Sequence, residues 1–140
     1  MIFFDTSVIV AASQPYDPRH AACLNRLATA DTRGGACAVH TLSETFAVLT
    51  RLPLPYRVPT GAALQIVKHT SKRLTVITLT PTEHIAAIER FVAEGLTGAM
   101  VYDALILACA RKVNATRIYT LNPRHFKQAA PDLSARILEP

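Results

Sequence analysis

The chain has 140 residues, with 15 Lys and Arg against 10 Asp and Glu, which gives a formal net charge of +5. This length predicts a single domain, residues 1–140, that is large enough to bury its own core. The basic balance favours a polyanionic partner, with nucleic acid as the leading candidate, although solubility alone can account for the same charge. The 3 Cys form no Cys-x-x-Cys pair, which argues against a disulfide framework and a zinc knuckle.

The composition also bears on where the protein works. No apolar run approaches the roughly 18 residues that a membrane helix needs, and we expect no secretory signal. An odd number of separated cysteines fits reduced thiols. We therefore expect a cytoplasmic protein that does not contact a membrane. Half of the residues are hydrophobic, which leaves room for an apolar surface that meets a partner.

Strand and helix patterns alternate along the chain. In chain order, we predict strand 2–4, helix 6–13, helix 18–32, strand 36–39, helix 41–52, a proline-rich connector 52–58, helix 60–72, strand 74–79, helix 81–94, helix 98–110, strand 116–120, loop 121–126 and edge strand 136–138. Such alternation predicts an α/β fold, a three-layer α/β/α sandwich around a central, mostly parallel sheet of four to five strands.

Local signals refine two of these helices. Thr80-Pro81 followed by Glu83 has the spacing of a capping box, which predicts that Glu83 folds back on the helix start. In the same helix the apolar positions predict one buried stripe. In helix 18–32 they predict a second. The stripes consist of Ile85, Ile88, Phe91 and Val92 in the first helix, and of Ala21, Leu24, Leu27 and Ala28 in the second.

Three acids stand at the starts of predicted helices, and each has two interpretations. Asp5 follows the first strand, where it either caps the next helix or faces the ligand edge of the sheet. Glu44 either completes a capping box with Thr41 or takes part in chemistry. Asp103 either interacts with the dipole of a very apolar helix or has a metal or other partner, since an unpaired carboxylate there is costly.

All three acids, together with Asn122 after the strand 116–120, can meet at one carboxyl edge of the sheet. Asn122 has its own alternative, because Asn-Pro is a good turn former. A cluster of acids is stable only when protons or cations neutralise it. Oxygen ligands without His or Cys at ligand spacing favour Mg²⁺ or Mn²⁺ over Zn²⁺. An acidic metal site in a basic protein points to a phosphodiester substrate.

The motifs around these residues resemble those of the PIN-domain ribonucleases, and specifically the VapC-type toxins of toxin–antitoxin pairs. The likeness spans nearly the whole chain in order. The matching stretches are Phe4-Asp5-Thr6-Ser7-Val8-Ile9, Ser43-Glu44, Tyr102-Asp103-Ala104-Leu105-Ile106 and Tyr119-Thr120-Leu121-Asn122-Pro123-Arg124-His125-Phe126.

The resemblance implies a Mg²⁺- or Mn²⁺-dependent endoribonuclease that cuts structured RNA such as tRNA or rRNA and inhibits translation. Its products would carry a 5′-phosphate and a 3′-hydroxyl. The resemblance assigns metal binding to Asp5, Glu44 and Asp103, and places Asn122 where many relatives have a fourth acid. The supporting hydroxyls would be those of Thr6, Ser7 and Thr120, and we expect RNA contacts from Arg124 and Lys127.

The same resemblance implies a cognate VapB-type antitoxin, a homodimer and operator DNA reached only through the antitoxin. We expect the connector 52–58 to be the contact surface for the antitoxin or the seam of the homodimer. Two other functions remain open. One is an RNA-binding or regulatory module that lost activity with the fourth acid, and the other is a phosphotransfer domain with Asp5 as the phosphoacceptor.

Overall fold

The computed structural model describes every residue from Met1 to Pro140. It contains five strands and eight α-helices, and a 3₁₀ helix lies between the last helix and the last strand. The bounds are β1 Ile2–Phe4, α1 Thr6–Ala12, α2 His20–Ala28, α3 Ala30–Arg33, β2 Gly35–Ala38, α4 Val39–Arg51, α5 Thr60–Arg73, β3 Thr75–Ile77, α6 Pro81–Ala93, α7 Met100–Lys112, β4 Arg117–Tyr119, α8 Pro123–Ala129, 3₁₀ Pro131–Arg136 and β5 Ile137–Leu138.

The five strands form one sheet in the order β3-β2-β1-β4-β5, and every neighbouring pair is parallel. The predicted α/β/α sandwich is therefore confirmed. Strand β1 lies at the centre, with β2 and β3 on one side and β4 and β5 on the other. Because the strand order reverses direction at β1, the carboxyl ends of β1 and β4 border the crevice where open α/β sheets bind their ligands.

Both faces of the sheet are covered by helices, which explains why most strand residues are apolar, with Thr75 and Arg117 as exposed polar residues at the starts of β3 and β4. Alternate residues of a strand point to opposite faces. Phe3 of β1 joins a core cluster with side chains of α7 and α8, whereas Phe4 joins a second cluster with side chains of α1, α2 and α3. Packing on both faces of the sheet therefore fixes the position of the strand ends.

Two glycines at the start of β2 have separate structural reasons. Gly34 ends α3 with φ of 72°, a backbone conformation that residues with a Cβ rarely adopt. At Gly35, a Cβ would lie 2.5 Å from Cβ of Ala30 and 2.7 Å from Cδ2 of Leu74. Gly34 therefore allows the chain to leave α3, and β2 depends on Gly35 for its close packing.

Several local predictions are wrong. The helix predicted over 18–32 is two helices, and α2 begins two residues later because Asp17 accepts a hydrogen bond from the backbone N–H of Arg19. Leu27 is buried in α2, but Leu24, Ala21 and Ala28 are exposed. Of the loop predicted over 121–126, only residues 121 and 122 lie outside a helix, because α8 begins at Pro123, a position where the missing N–H of proline costs nothing.

The buried stripe predicted for α6 is only partly present. Phe91 is buried, but Ile85 and Val92 are exposed. This helix packs mainly against α7, which leaves its outer face exposed. The capping box itself is confirmed, since Glu83 N–H donates to Thr80 and the Glu83 carboxylate accepts from Thr80 N–H. None of the helices combines the length and apolarity that crossing a bilayer requires.

Candidate active site

Asp5 follows β1 directly and is the N-cap of α1. Its side chain is only 4% exposed and accepts hydrogen bonds from the Ser7 hydroxyl at 2.5 Å, the Thr120 hydroxyl at 2.9 Å and the Ser7 N–H at 3.3 Å. All three bonds reach the same oxygen, Oδ2. The capping role is therefore real, yet it leaves Oδ1 of Asp5 without a hydrogen bond and available to a ligand.

Thr120 and Ser7 link the ends of the two central strands. The Thr120 hydroxyl, which donates to Asp5, also accepts from the Asn122 N–H at 3.0 Å. The Ser7 hydroxyl accepts from the Leu121 N–H at 2.9 Å. The bonds from Thr120 to Asp5 and from Leu121 to Ser7 connect residues more than a hundred positions apart, and they hold the segment after β4 against the segment after β1.

Glu44 does not cap its helix. Helix α4 begins at Val39, so Glu44 lies in its second turn, beyond the reach of the free N–H groups at the start, and no side chain caps that helix. Instead the Thr6 hydroxyl donates to Oε2 of Glu44 at 2.6 Å. The capping interpretation of Glu44 is wrong, because the chain turns from strand to helix about three residues earlier than the Thr41 signal indicates.

Asp103 lies in the first turn of α7, where the helix dipole favours a negative charge. Burial and the nearby charges of Asp5 and Glu44 nevertheless raise its pKa to about 6, with His125 acting in the opposite direction. Burial also raises the pKa of Asp5, while its hydrogen bonds from Ser7 and Thr120 oppose that rise and Glu44 adds to it. The three carboxylates therefore affect one another electrostatically.

One cavity of about 330 Å³ contains the whole group, and we call it the acid pocket. It brings together Asp5, Glu44, Asp103 and Asn122, as well as Thr6 and Ser7, whereas Thr120 is fully buried behind it. Its lining residues are Asp5, Thr6, Ser7, Val10, Ala11, Asp17, Arg19, Glu44, Val48, Asp103, Leu121 and Asn122.

The acid pocket includes Asp17 and Arg19, which the sequence did not point to. Arg19 donates from Nε and Nη2 to the two oxygens of Asp17, both at 2.9 Å. The spacing of two residues between an acid and an arginine is common on surfaces, so it carried no signal that this pair borders the pocket. The pair adds a cationic group to the rim of the site without neutralising the three central acids.

Arg124 and Lys127 do not line the acid pocket. Both side chains are exposed on α8, the helix that begins next to Asn122. Asn122 precedes α8 without capping it through its side chain, so its amide remains free to face the pocket. The structure therefore separates the residues proposed to touch RNA from those proposed to hold metal.

The family model of the PIN domain matches residues 2–131. This chain belongs to the PIN-domain family. Ribonuclease VapC40 of Mycobacterium tuberculosis is 31% identical over 116 residues, which cover 82% of each chain. The family predicted from the motifs is confirmed.

Solved structures agree with this assignment. The crystal structure of Mycobacterium tuberculosis VapC20, a sarcin-ricin loop cleaving toxin, superposes on this PIN domain with a TM-score of 0.69 at 26% identity, covering 84% of this chain and 87% of that one. The structure of FitAB bound to the IR36 DNA fragment gives a TM-score of 0.67 at 19% identity, with 99% and 94% covered. The second match shows the shared fold.

The donor set of this PIN domain suits a hard divalent cation. No Lys or Arg pairs with Asp5, Glu44 or Asp103, and burial raises the pKa of both Asp5 and Asp103. The side chains do not by themselves enclose a cation with three ligands. Mg²⁺ in nuclease-type sites is commonly held by one or two carboxylates, with water and phosphate completing the shell. The arrangement fits that mode.

Removing one carboxylate should stabilise the metal-free protein at neutral pH. The pKa of Asp103 is about 6 in the folded chain, above its usual value of 3.8, so ionisation destabilises the fold as pH rises through this range. We expect Asp103→Asn to raise the free energy of unfolding by about 1 kcal/mol at pH 8, since partial exposure screens the repulsion, and to have no effect near pH 3.

Thermal unfolding with EDTA at both pH values measures this effect, and a rise of about 4 °C in Tm is expected at pH 8. Glu89→Gln, which changes an exposed acid of α6, serves as the matched control and should leave Tm unchanged. Equal Tm shifts for Asp103→Asn at pH 3 and pH 8 would contradict the electrostatic explanation.

Proposed function

We propose that this PIN domain is a divalent-metal-dependent endoribonuclease toxin of a toxin–antitoxin pair. The observation that carries the proposal is the set of three carboxylates, Asp5, Glu44 and Asp103, which face one pocket at the switch point of the sheet without a Lys or Arg partner. Repulsion of this kind persists in a folded protein when a cation relieves it during function.

Asp5, Glu44 and Asp103 would hold Mg²⁺ or Mn²⁺ directly or through water, and the amide oxygen of Asn122 would be a neutral further donor. When bound, the ion would activate the attacking water and neutralise charge on the phosphate. The chain's own residues prepare this site. Ser7 and Thr120 fix one oxygen of Asp5, and Thr6 fixes one oxygen of Glu44.

This positioning leaves the other carboxylate oxygens directed at the pocket in a set geometry. Because the hydroxyl donors are already in place before substrate binds, little reorganisation is required during the reaction. The reaction that fits is in-line attack of water on phosphorus, which leaves a 5′-phosphate and a 3′-hydroxyl. A phosphoacceptor role for Asp5 fits less well, because no Lys lines the pocket.

Structured RNA, such as tRNA or rRNA, is the substrate we propose. The net charge of +5 favours a polyanion, and the exposed Arg124 and Lys127 extend from the rim of the pocket along α8. Arg19 offers a further cation at the rim of the pocket. The relatives support RNA over DNA, since VapC40 is a ribonuclease and VapC20 cleaves the sarcin-ricin loop. Cleavage of such RNA would inhibit translation.

The decisive test is cleavage of total RNA by the purified protein in MnCl₂ or MgCl₂. We expect metal-dependent cleavage that EDTA stops. Asp5→Asn should lower the rate at least about 100-fold, because it removes a charge at the centre of the site. Asp31→Asn changes an exposed acid of α3 and should cleave as the wild type does.

Two results would count against the nuclease. One is cleavage that survives both EDTA and Asp5→Asn, which would indicate a contaminating enzyme. The other is tight RNA binding by the wild type without cleavage in either metal, which would favour the RNA-binding module. The RNA-binding module remains a candidate because Asn122 stands where a fourth carboxylate would otherwise lie.

Asn122→Asp tests what the missing charge means for metal affinity. The side chain borders the acid pocket and makes no hydrogen bond of its own, so a carboxylate there should strengthen Mn²⁺ binding roughly tenfold in calorimetric titrations. Asn25→Asp, at an exposed position of α2, should change nothing. Unchanged or weaker Mn²⁺ binding by Asn122→Asp would show that this residue lies outside the metal site.

We also propose that the connector between α4 and α5 binds the antitoxin. Leu54 is 76% exposed and Tyr56 is 47% exposed. Tyr56 packs against Tyr16 with ring centroids 5.5 Å apart, and both border a cavity of about 210 Å³. Asp17 lines this cavity and the acid pocket alike, so a bound peptide can run from one into the other. Operator DNA would be reached through the antitoxin.

Alanine substitutions at Leu54 and Tyr56 should weaken binding to the VapB-type antitoxin roughly tenfold in a calorimetric or surface assay, as loss of buried apolar anchors does. Ile85→Ala and Val92→Ala, at exposed apolar positions of α6, are the controls. If the connector variants instead change only self-association, the surface is a homodimer seam. If they change neither property, the connector is not an interface.

A further inference from the structure

A third cavity lies beside the acid pocket, on α4 and α7, and the functions proposed above give it no role. Its volume is about 310 Å³, at the lower end of the range of about 300–1,000 Å³ typical of small-ligand pockets. Apolar side chains predominate, with a few polar groups among them, and no carboxylate borders it. The lining residues are Ala38, Val39, His40, Ser43, Leu79, His84, Leu105 and Cys109.

The cavity and the acid pocket share a wall formed by α4 and α7. On α4, His40 lines the cavity while Glu44, one turn later, lines the acid pocket, and His40 Nε2 lies 3.9 Å from Glu44 Oε2. On α7, Asp103 faces the acid pocket. Its neighbour Tyr102 lies on the same helical face as Leu105, which lines the cavity.

An aromatic pair lies at this shared wall. The rings of His40 and Tyr102 are nearly parallel, with an angle of 4° between their planes and 5.4 Å between their centroids. Half of the Tyr102 surface is exposed, so this side chain is accessible to a ligand. Flat exposed rings are the groups on which single-stranded nucleic acids stack their bases, whatever the sequence.

We propose that this stacking cavity, defined by its lining residues together with Tyr102, binds a nucleobase next to the scissile phosphate. The proposal rests on the proposed nuclease function. A base that stacks on the His40–Tyr102 pair and enters the cavity would place its attached phosphate over the acid pocket. The Ser43 hydroxyl and the His84 imidazole supply hydrogen-bonding groups for the base edge, while the apolar wall suits its ring.

The chain contains no Trp, so one introduced tryptophan reports its surroundings without background. We would place Tyr102→Trp in an Asp5→Asn background, which prevents cleavage, and add a short single-stranded oligo(A) RNA. We expect quenching of the emission by this RNA but not by an abasic oligonucleotide of equal length. Leu64→Trp in the same background is the matched control, because Leu64 on α5 is similarly exposed, at 44%, and borders none of these cavities, so it should not be quenched.

A cleavage assay provides the second arm. In the wild-type background, Tyr102→Leu should lower the cleavage rate of total RNA roughly tenfold, whereas Tyr102→Phe keeps the ring and should retain the rate. Leu64→Ala, at an exposed position of α5, should cleave normally. Ser43→Leu, at an exposed position on the cavity wall, should also lower the rate, and it tests the site should Tyr102→Leu fail to fold.

The outcomes separate this proposal from the nuclease proposal. Quenching that is equal with abasic RNA, or a wild-type cleavage rate for Tyr102→Leu and Ser43→Leu, overturns the nucleobase site. Quenching by oligo(A) in a protein whose wild type cleaves nothing supports the base site while the nuclease function fails. A third outcome is that Tyr102→Leu and Ser43→Leu weaken antitoxin binding but cleave at the wild-type rate, and that oligo(A) does not quench Tyr102→Trp. In that case the cavity holds the antitoxin and the proposal is wrong.

Discussion

The hydrogen bond from the Thr120 hydroxyl to Asp5 is the interaction on which the site depends. It joins the end of β4 to the end of β1, and the same hydroxyl accepts from Asn122 while Ser7 accepts from Leu121. These bonds stabilise a buried carboxylate whose desolvation is otherwise costly. They also hold the start of α1 and the start of α8 around one crevice, which is the geometry that lets Glu44 and Asp103 approach Asp5.

Two largely apolar cavities adjoin the acid pocket. The cavity beside Tyr16 and Tyr56 shares Asp17 with the acid pocket, and the stacking cavity shares with it the wall formed by α4 and α7. A small domain that exposes aromatic residues on both sides of a charged centre is built to meet other molecules there. Our proposals assign these two sides differently, one to the antitoxin and the other to a base of the RNA.

Predictions from the sequence succeeded where the physical cause is local. Thr80 and Glu83 are three residues apart, so their reciprocal hydrogen bonds need nothing beyond the helix itself. The prediction of a buried stripe in α6 was wrong for Ile85 and Val92, because burial depends on which helices pack alongside, and α6 packs mainly against α7. Glu44 shows the same limit: its capping signal was plausible, but an earlier helix start moved it to face Thr6.

The amino-acid pattern was sufficient to predict the alternation of strands and helices, the parallel sheet and the acids that meet at its carboxyl edge, since these follow from hydrophobic periodicity and from the handedness of parallel connections. It did not predict that Asp17 and Arg19 border the pocket, that Thr120 holds Asp5, or that His40 stacks on Tyr102. Each of those contacts joins side chains from different elements, and their distances are set by packing, which no local pattern encodes.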